Sequence, residues 1–129
     1  MSMSNLRKRK WYISGAVSND PDFRLKFAYA EYQLKSRGFK TLNPVKHEKD
    51  GKPWDYYLRK DIRKLTKCDG IILLDDWYES RGARLELKVA IGLGLKVLRF
   101  NVFNGELAEW KINRENGEFD VYHMGNGDK

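Results

Sequence analysis

The stretch from residue 70 to residue 100, GIILLDDWYESRGARLELKVAIGLGLKVLRF, contains the unit that decides the fold. Its first five residues, GIILL, form an apolar run without alternation, which is typical of a strand covered on both faces. KVLRF at its end is a second short strand, and the apolar residues between the two recur at the spacing of one helix face. This order predicts a parallel β-α-β unit with a right-handed crossover.

The residues before this unit continue the alternation of strands and helices. Residues 11–14 and 39–42 are predicted strands, and the helix between them is predicted to begin at the cap residue Asp20 with Pro21 in its first position. Gly38 is predicted to end that helix. The predicted fold class is therefore α/β, a three-layer sandwich whose parallel sheet has the flavodoxin-like strand order 2-1-3-4.

The two ends of the chain are predicted to lie outside this sheet or at its edge. Residues 1–10 are predicted to be a basic, loose N-terminal tail, and residues 11–129 a single domain. Within residues 109–122, apolar residues alternate on both sides of an Asn-Gly turn at 116–117, which predicts a C-terminal hairpin or edge extension. A terminal helix from Glu106 is the alternative.

Composition narrows the class of protein. The chain of 129 residues has a single cysteine, Cys68, which excludes an internal disulfide and fits a reducing cytosol, so a cytoplasmic location is expected. No apolar run reaches the length of a transmembrane helix, and the first residues lack the apolar segment of a secretory signal. His47 and His123 have no metal-ligand spacing around them, so neither a metal site nor a cofactor is predicted.

The net charge of +7 raises nucleic acid or phosphate as a partner. Much of this charge lies in residues 59–67, on the side of a helix predicted over residues 54–67 that faces away from its apolar stripe. A solvated surface is the simpler explanation of this run, and nucleic-acid binding is the less favoured one.

Two carboxylates lie on helix faces that the apolar pattern assigns to the core. Glu86 projects within about 40° of Ala90, and Asp61, in the helix predicted over residues 54–67, projects within about 40° of Leu65. Burying a carboxylate is costly unless hydrogen bonds or a polar cavity receive it. A structural pair, the helix dipole or a bond to loop backbone could explain either residue alone. Two such residues in one small α/β domain favour a site.

The topology predicts where this site lies. In open parallel sheets the crevice is found at the carboxyl ends of the strands where the strand order reverses, which here is between the first and third strands. The loops at residues 15–19 and 75–80 meet there, and Glu86 lies in the helix that follows the second loop. Paired carboxylates without a metal or a histidine indicate chemistry at an acetal-like carbon, where one attacks and another orients the sugar or protonates the leaving group.

Three segments, YISG (12–15), DIRKLTKCDGIILL (61–74) and SRGARLELKVAIGLGLKV (80–97), together resemble the nucleoside 2-deoxyribosyltransferase-like superfamily. The resemblance covers about residues 11–100 and is closest to short phage-associated domains of that group. It implies an enzyme that cleaves or exchanges an N-glycosidic bond in nucleotide metabolism, without a cofactor, and that assembles as a homo-oligomer.

The resemblance also implies roles for particular residues. In the nucleoside 2-deoxyribosyltransferases and the deoxynucleoside 5′-monophosphate N-glycosidases, a glutamate attacks C1′ of the sugar, and its position matches Glu86. Asp61, in a D-x-x-x-L-x-x-C/A-D context, would contact the sugar and assist catalysis. Tyr12 would line the site near the nucleophile, and Gly15 would be one of the residues that bind the substrate or its phosphate.

The loop ahead of Glu86 is similar to that of the monophosphate glycosidases, which have a serine six residues before the nucleophile and a glycine two residues later. Ser80 and Gly82 match this pattern, and Arg81 could add positive charge. A hydroxyl, loop N–H groups and a helix N-terminus suit a phosphate dianion. The implied substrate is therefore a deoxynucleoside 5′-monophosphate, although these residues could equally form a plain loop and helix cap.

Several alternatives stay open at the level of sequence. Trp77 and Tyr78 could stack on a base, or they could fill the core or a subunit interface. The chain could be a nucleotide-binding or sequestering module without turnover, or a nucleic-acid-binding protein. The sequence also does not choose between hydrolysis and transfer, because water and a second base can occupy the same position.

Overall fold

The computed structural model of the protein describes residues 2–18, 20–46, 48 and 50–112. Over this part of the chain, one five-stranded sheet has helices on both of its faces. In chain order the elements are α1 (Met3–Arg7), β1 (Lys10–Ser14), α2 (Phe23–Ser36), β2 (Lys40–Leu42), α3 (Trp54–Leu65), β3 (Gly70–Leu74), α4 (Arg81–Gly92), β4 (Lys96–Phe100) and β5 (Leu107–Trp110).

The strand order is β2-β1-β3-β4-β5, with the first four strands parallel and β5 antiparallel to β4. The predicted α/β class and the order 2-1-3-4 are confirmed. All five residues of β3 are buried, which is why GIILL shows no alternation. None of the helices in the described ranges is long and apolar enough to cross a membrane.

The core has two halves, one on each face of the sheet. On one face Trp11 and Ile13 of β1 pack with the buried side of α2. On the other face Tyr12 packs with residues of α4 such as Leu87 and Ala90. Because side chains alternate along a strand, Ser14 shares the Tyr12 face, and this places two hydroxyl groups beneath α4.

Helix α2 begins later than predicted. The backbone N–H of Asp22 and the ammonium group of Lys26 both bind the carboxylate of Asp20, at 2.9 and 2.8 Å, so Asp20 holds a turn before the helix and α2 starts at Phe23. The predicted end is confirmed, since Gly38 adopts a φ of +90° directly after the last turn.

The N-terminal residues differ from the expected loose tail. Residues 3–7 form α1, and Leu6 is 5% exposed within the core. Its carbonyl accepts the indole N–H of Trp11 at 2.8 Å, and Arg7 donates to the carbonyl of Arg37 at 2.6 Å. The buried indole of Trp11 needs a hydrogen-bond acceptor. Leu6, which directly precedes the basic residues 7–10, supplies both that acceptor and an apolar contact.

The C-terminal edge extension is present as β5, which pairs with β4. A helix from Glu106 is therefore wrong over residues 107–110, because these residues instead complete the hydrogen bonds of the sheet edge. The predicted hairpin turn at 116–117 lies outside the described residues.

Candidate active site

A cavity of about 670 Å³ opens at the carboxyl end of β1, between the loop before α3, α3 itself and the N-terminus of α4. This volume falls in the range of small-molecule sites. Seven of the nine residues predicted for the site line it, although they come from three separate parts of the chain. They are Tyr12, Gly15, Asp61, Ser80, Arg81, Gly82 and Glu86.

Glu86 is buried in α4, and two hydroxyl groups from β1 hold its carboxylate. Tyr12 donates its phenolic O–H to Oε2 at 2.6 Å, and Ser14 donates to Oε1 at 2.7 Å. Burial raises the pKa of Glu86 to about 7, while these two hydrogen bonds oppose the rise. The carboxylate is thus oriented and becomes ionised slightly above neutral pH.

Of the two residues that donate these hydrogen bonds, Tyr12 was predicted from the sequence and Ser14 was not. Burial, and then the charge of Glu86, raise the pKa of Tyr12 well above its ordinary value, so it stays a phenol and a donor. Ser14 does not line the cavity and was missed by the sequence reasoning. Its position two residues after Tyr12 on the same strand face was the signal that could have found it.

Asp61 faces Glu86 from α3 and is in a different state. Burial is the main cause that raises the pKa of Asp61 to about 9, and the charges of Glu86 and Glu48 add to it. Asp61 is therefore protonated at neutral pH. Glu48 was missed because the polar loop KHEKDGKP contains several charged residues and no periodicity that distinguishes one of them.

The predicted phosphate loop forms the start of α4. Ser80 is the N-cap, and its Oγ accepts the backbone N–H of Ala83 at 3.1 Å, so the capping interpretation describes one function of this residue. The guanidinium group of Arg81 lies over the ring of Trp54 at 4.3 Å from its centroid. Ser80 and Arg81, together with Gly82, nevertheless line the cavity at the positive end of a helix.

Gly15 is required where β1 approaches the end of β3. A Cβ atom at this position would lie 3.1 Å from Cβ of Leu74 and 3.2 Å from Oδ1 of Asp76, closer than most real contacts. The same Asp76 oxygen accepts the backbone N–H of Ala16 at 3.0 Å. The close approach brings the two loops of the switch point together.

A partly buried lysine joins these two loops. Lys26 donates to the carbonyl of Ala16 at 2.9 Å and to the carboxylates of Asp20 and Asp76. Burial lowers the pKa of Lys26, but the hydrogen bonds to the two aspartates outweigh it, so the net shift is upward. This network, which ties the segment after β1 to the segment after β3, was not predicted from the sequence.

The structure does not bring Trp77 and Tyr78 into the cavity. Trp77 is 2% exposed and packs edge-on against Trp110, with ring centroids 5.8 Å apart. Tyr78 is exposed and contacts the outer side of Trp77. The core interpretation is correct for Trp77, because the 3₁₀ turn that contains it directs the indole under β5. Trp54 and Tyr57 are aromatic residues that do line the cavity.

Comparison with known proteins supports the fold. The structure is similar to that of a 2-deoxyribosyltransferase from the psychrotolerant bacterium Bacillus psychrosaccharolyticus, with a TM-score of 0.56 and 17% sequence identity over 89% of this chain and 95% of that chain. The protein therefore has a nucleoside deoxyribosyltransferase-like fold. It belongs to the family described as Domain of unknown function (DUF4406), which matches residues 9–99. No curated protein matches the sequence.

Proposed function

We propose that the protein cleaves or exchanges the N-glycosidic bond of a deoxynucleoside 5′-monophosphate through a covalent glycosyl ester on Glu86. The observation that supports this most is the buried Glu86 carboxylate, which Tyr12 and Ser14 orient at the wall of a cavity of suitable size. A nucleophilic carboxylate needs this combination of low exposure, fixed direction and access to the substrate.

In the first step, an oxygen of Glu86 attacks C1′ of the sugar and the bond from C1′ to the base nitrogen breaks. The bonding electron pair leaves with the base, which takes a proton from Asp61. The Glu86 carboxylate loses its charge on becoming an ester, and Asp61 becomes a carboxylate. One negative charge thus moves across the cavity, and the total charge stays constant.

In the second step, water or a second base attacks C1′ and the ester bond breaks, which restores the Glu86 carboxylate. The proton lost by the attacking water or base returns to Asp61. Hydrolysis and transfer share this step because either nucleophile takes the position that the first base has left. The proposal therefore includes both outcomes.

The monophosphate part of the proposal rests on the N-terminus of α4. Ser80 and Gly82 line the cavity beside the first turn of a 12-residue helix, and Arg81 adds a cation at its rim. Backbone N–H groups at a helix N-terminus and a neighbouring hydroxyl group are suitable donors for a phosphate dianion.

The experiment is incubation of the pure protein with a panel of deoxynucleoside 5′-monophosphates and nucleosides, with chromatographic measurement of free base. Acid-quenched samples are analysed by mass spectrometry, first as intact protein and then after proteolytic digestion, for a deoxyribosyl phosphate adduct. Base release with an adduct on the peptide that contains Glu86 is expected, and Glu86→Gln should show neither. Nucleotide binding without base release would favour a nucleotide-binding module instead.

We further propose, from the family resemblance, that the protein assembles as a homodimer or a larger homo-oligomer. In such assemblies a neighbouring subunit can complete each site. Light scattering at the assay concentration measures the mass directly, and a monomer would contradict this proposal.

A further inference from the structure

The proposed mechanism leaves the carboxyl group beside Asp61 without a role. Glu48, in the loop between β2 and α3, lines the same cavity as Asp61 and Glu86. Its side chain lies within hydrogen-bond reach of Asp61. Oε1 of Glu48 and Oδ1 of Asp61 are both buried, and neither has a hydrogen-bond partner among the described residues. Buried polar atoms are rarely left in this state, and one proton between the two groups would satisfy both.

We propose that Asp61 and Glu48 form a carboxyl–carboxylate pair that shares one proton, and that Glu48 is the positioning residue that keeps this proton on Asp61 for the departing base. The pairing rests on the shared cavity and on the two buried oxygens that lack a partner among the described residues. The delivery of the proton to a base rests on the proposed function.

The charged groups around Asp61 favour its neutral form. Glu86 faces Asp61 from α4, and Glu48 faces it from the loop, while Tyr12 of β1 is a neutral phenol beside them. Lys64, one turn further along α3, favours the ionised form of Asp61, but it also donates to the carbonyl of Pro44 at 3.1 Å. Two negative neighbours and burial outweigh this one cation.

The pair also explains how the proton returns to Asp61. After the base has left with the proton, the Asp61 and Glu48 carboxylates lie side by side without one. Their mutual repulsion makes Asp61 a strong acceptor for the proton of the attacking water, and the ester on Glu86 carries no charge that would oppose this. Restoring the Glu86 carboxylate and the shared proton together closes the cycle.

The pairing is tested by ¹³C NMR titration of the carboxyl carbons in the whole protein, with the Asp61 signal assigned by its loss in Asp61→Asn. In wild type this signal should titrate above neutral pH. In Glu48→Gln its midpoint should fall by about one pH unit or more, because the amide can donate to ionised Asp61 and no longer repels it. Glu79→Gln is the matched control, since it removes an exposed carboxylate at the cavity rim and should leave the midpoint unchanged.

An Asp61 midpoint that stays in place in Glu48→Gln would overturn the pairing, whatever the activity of the protein. If wild type releases base, the alkaline limb of kcat/KM should move down with the Asp61 midpoint in Glu48→Gln. An unmoved limb beside a moved midpoint would overturn the positioning role. Failure of the proposed function would appear differently, as absence of base release from wild type while the midpoint still moves.

Discussion

Glu86 and Asp61 project from neighbouring helices into one cavity, but the two sides of the cavity treat a carboxyl group differently. On the α4 side, two hydroxyl groups donate to Glu86 and hold its pKa at about 7 in spite of burial. On the α3 side, burial together with the carboxylates of Glu86 and Glu48 raises the pKa of Asp61 to about 9. Near pH 8 one group is ionised and the other is protonated, as a nucleophile and a general acid require.

Removing the nucleophile tests the α4 side most severely. Glu86→Gln keeps the shape and the hydrogen-bonding capacity of the side chain but cannot form the ester, so base release should fall by about three orders of magnitude or more. Glu31→Gln, on α2 where Glu31 pairs with Lys35, is the control that should retain wild-type turnover. Undiminished base release by Glu86→Gln would contradict the covalent mechanism.

Specificity for the phosphate tests the α4 side of the cavity further, because Ser80 is the N-cap of α4. Each charge-assisted hydrogen bond to phosphate contributes roughly 1.5–3 kcal/mol, so wild type should prefer monophosphates over nucleosides by about a hundredfold or more. Ser80→Asp should remove most of this preference, because its carboxylate repels the dianion. Ser80→Asn is the control, since asparagine also caps the helix but carries no charge. The measurement is kcat/KM for both substrates. Equal use of both by wild type would show that Ser80 is only a cap.

The pH dependence of kcat/KM tests Glu86 and Asp61 in one experiment. We expect kcat/KM to rise with pH as Glu86 ionises near pH 7 and to fall as Asp61 loses its proton near pH 9. Outside this window the rate should change about tenfold per pH unit. A profile that is flat between pH 6 and 10 would mean that neither carboxyl group titrates in a step that limits the rate.

Stability should show the cost of placing a charge on the α4 side. The folded protein binds more protons than the unfolded chain between the ordinary pKa of Glu86, 4.5, and its folded value of about 7, so wild type loses stability as pH rises through this window. The loss from this group is at most about 3 kcal/mol. Glu86→Gln lacks it, so the urea midpoint of the variant should gain on that of wild type between pH 5 and pH 8. If the urea midpoints of variant and wild type differ by the same amount at pH 5 and at pH 8, burial of this charge costs little.

The α/β class and the inward direction of Glu86 and Asp61 followed from the sequence because they depend on local periodicity, and the strand order followed from the topology that alternating strands and helices favour. A helix repeats every 3.6 residues and a strand every 2, so the face of a side chain is encoded by its near neighbours. Tyr12 was implied by the family resemblance, and the same local rule, applied from Tyr12 along its strand, would have reached Ser14. It could not place Trp77, whose indole packs on Trp110 of β5, or the start of α2, which depends on the bond from Lys26 to Asp20.

Which groups surround each carboxylate was decided only by the tertiary structure. Ser14 and Glu86 are 72 residues apart in the chain, and Glu48 meets Asp61 from an irregular loop. Protonation depends on burial and on the charges and donors within a few ångströms, whatever their distance in sequence. The residue types and their faces were therefore readable from the chain, whereas the ionised state of Glu86 and the protonated state of Asp61 arise only when distant segments close one cavity around them.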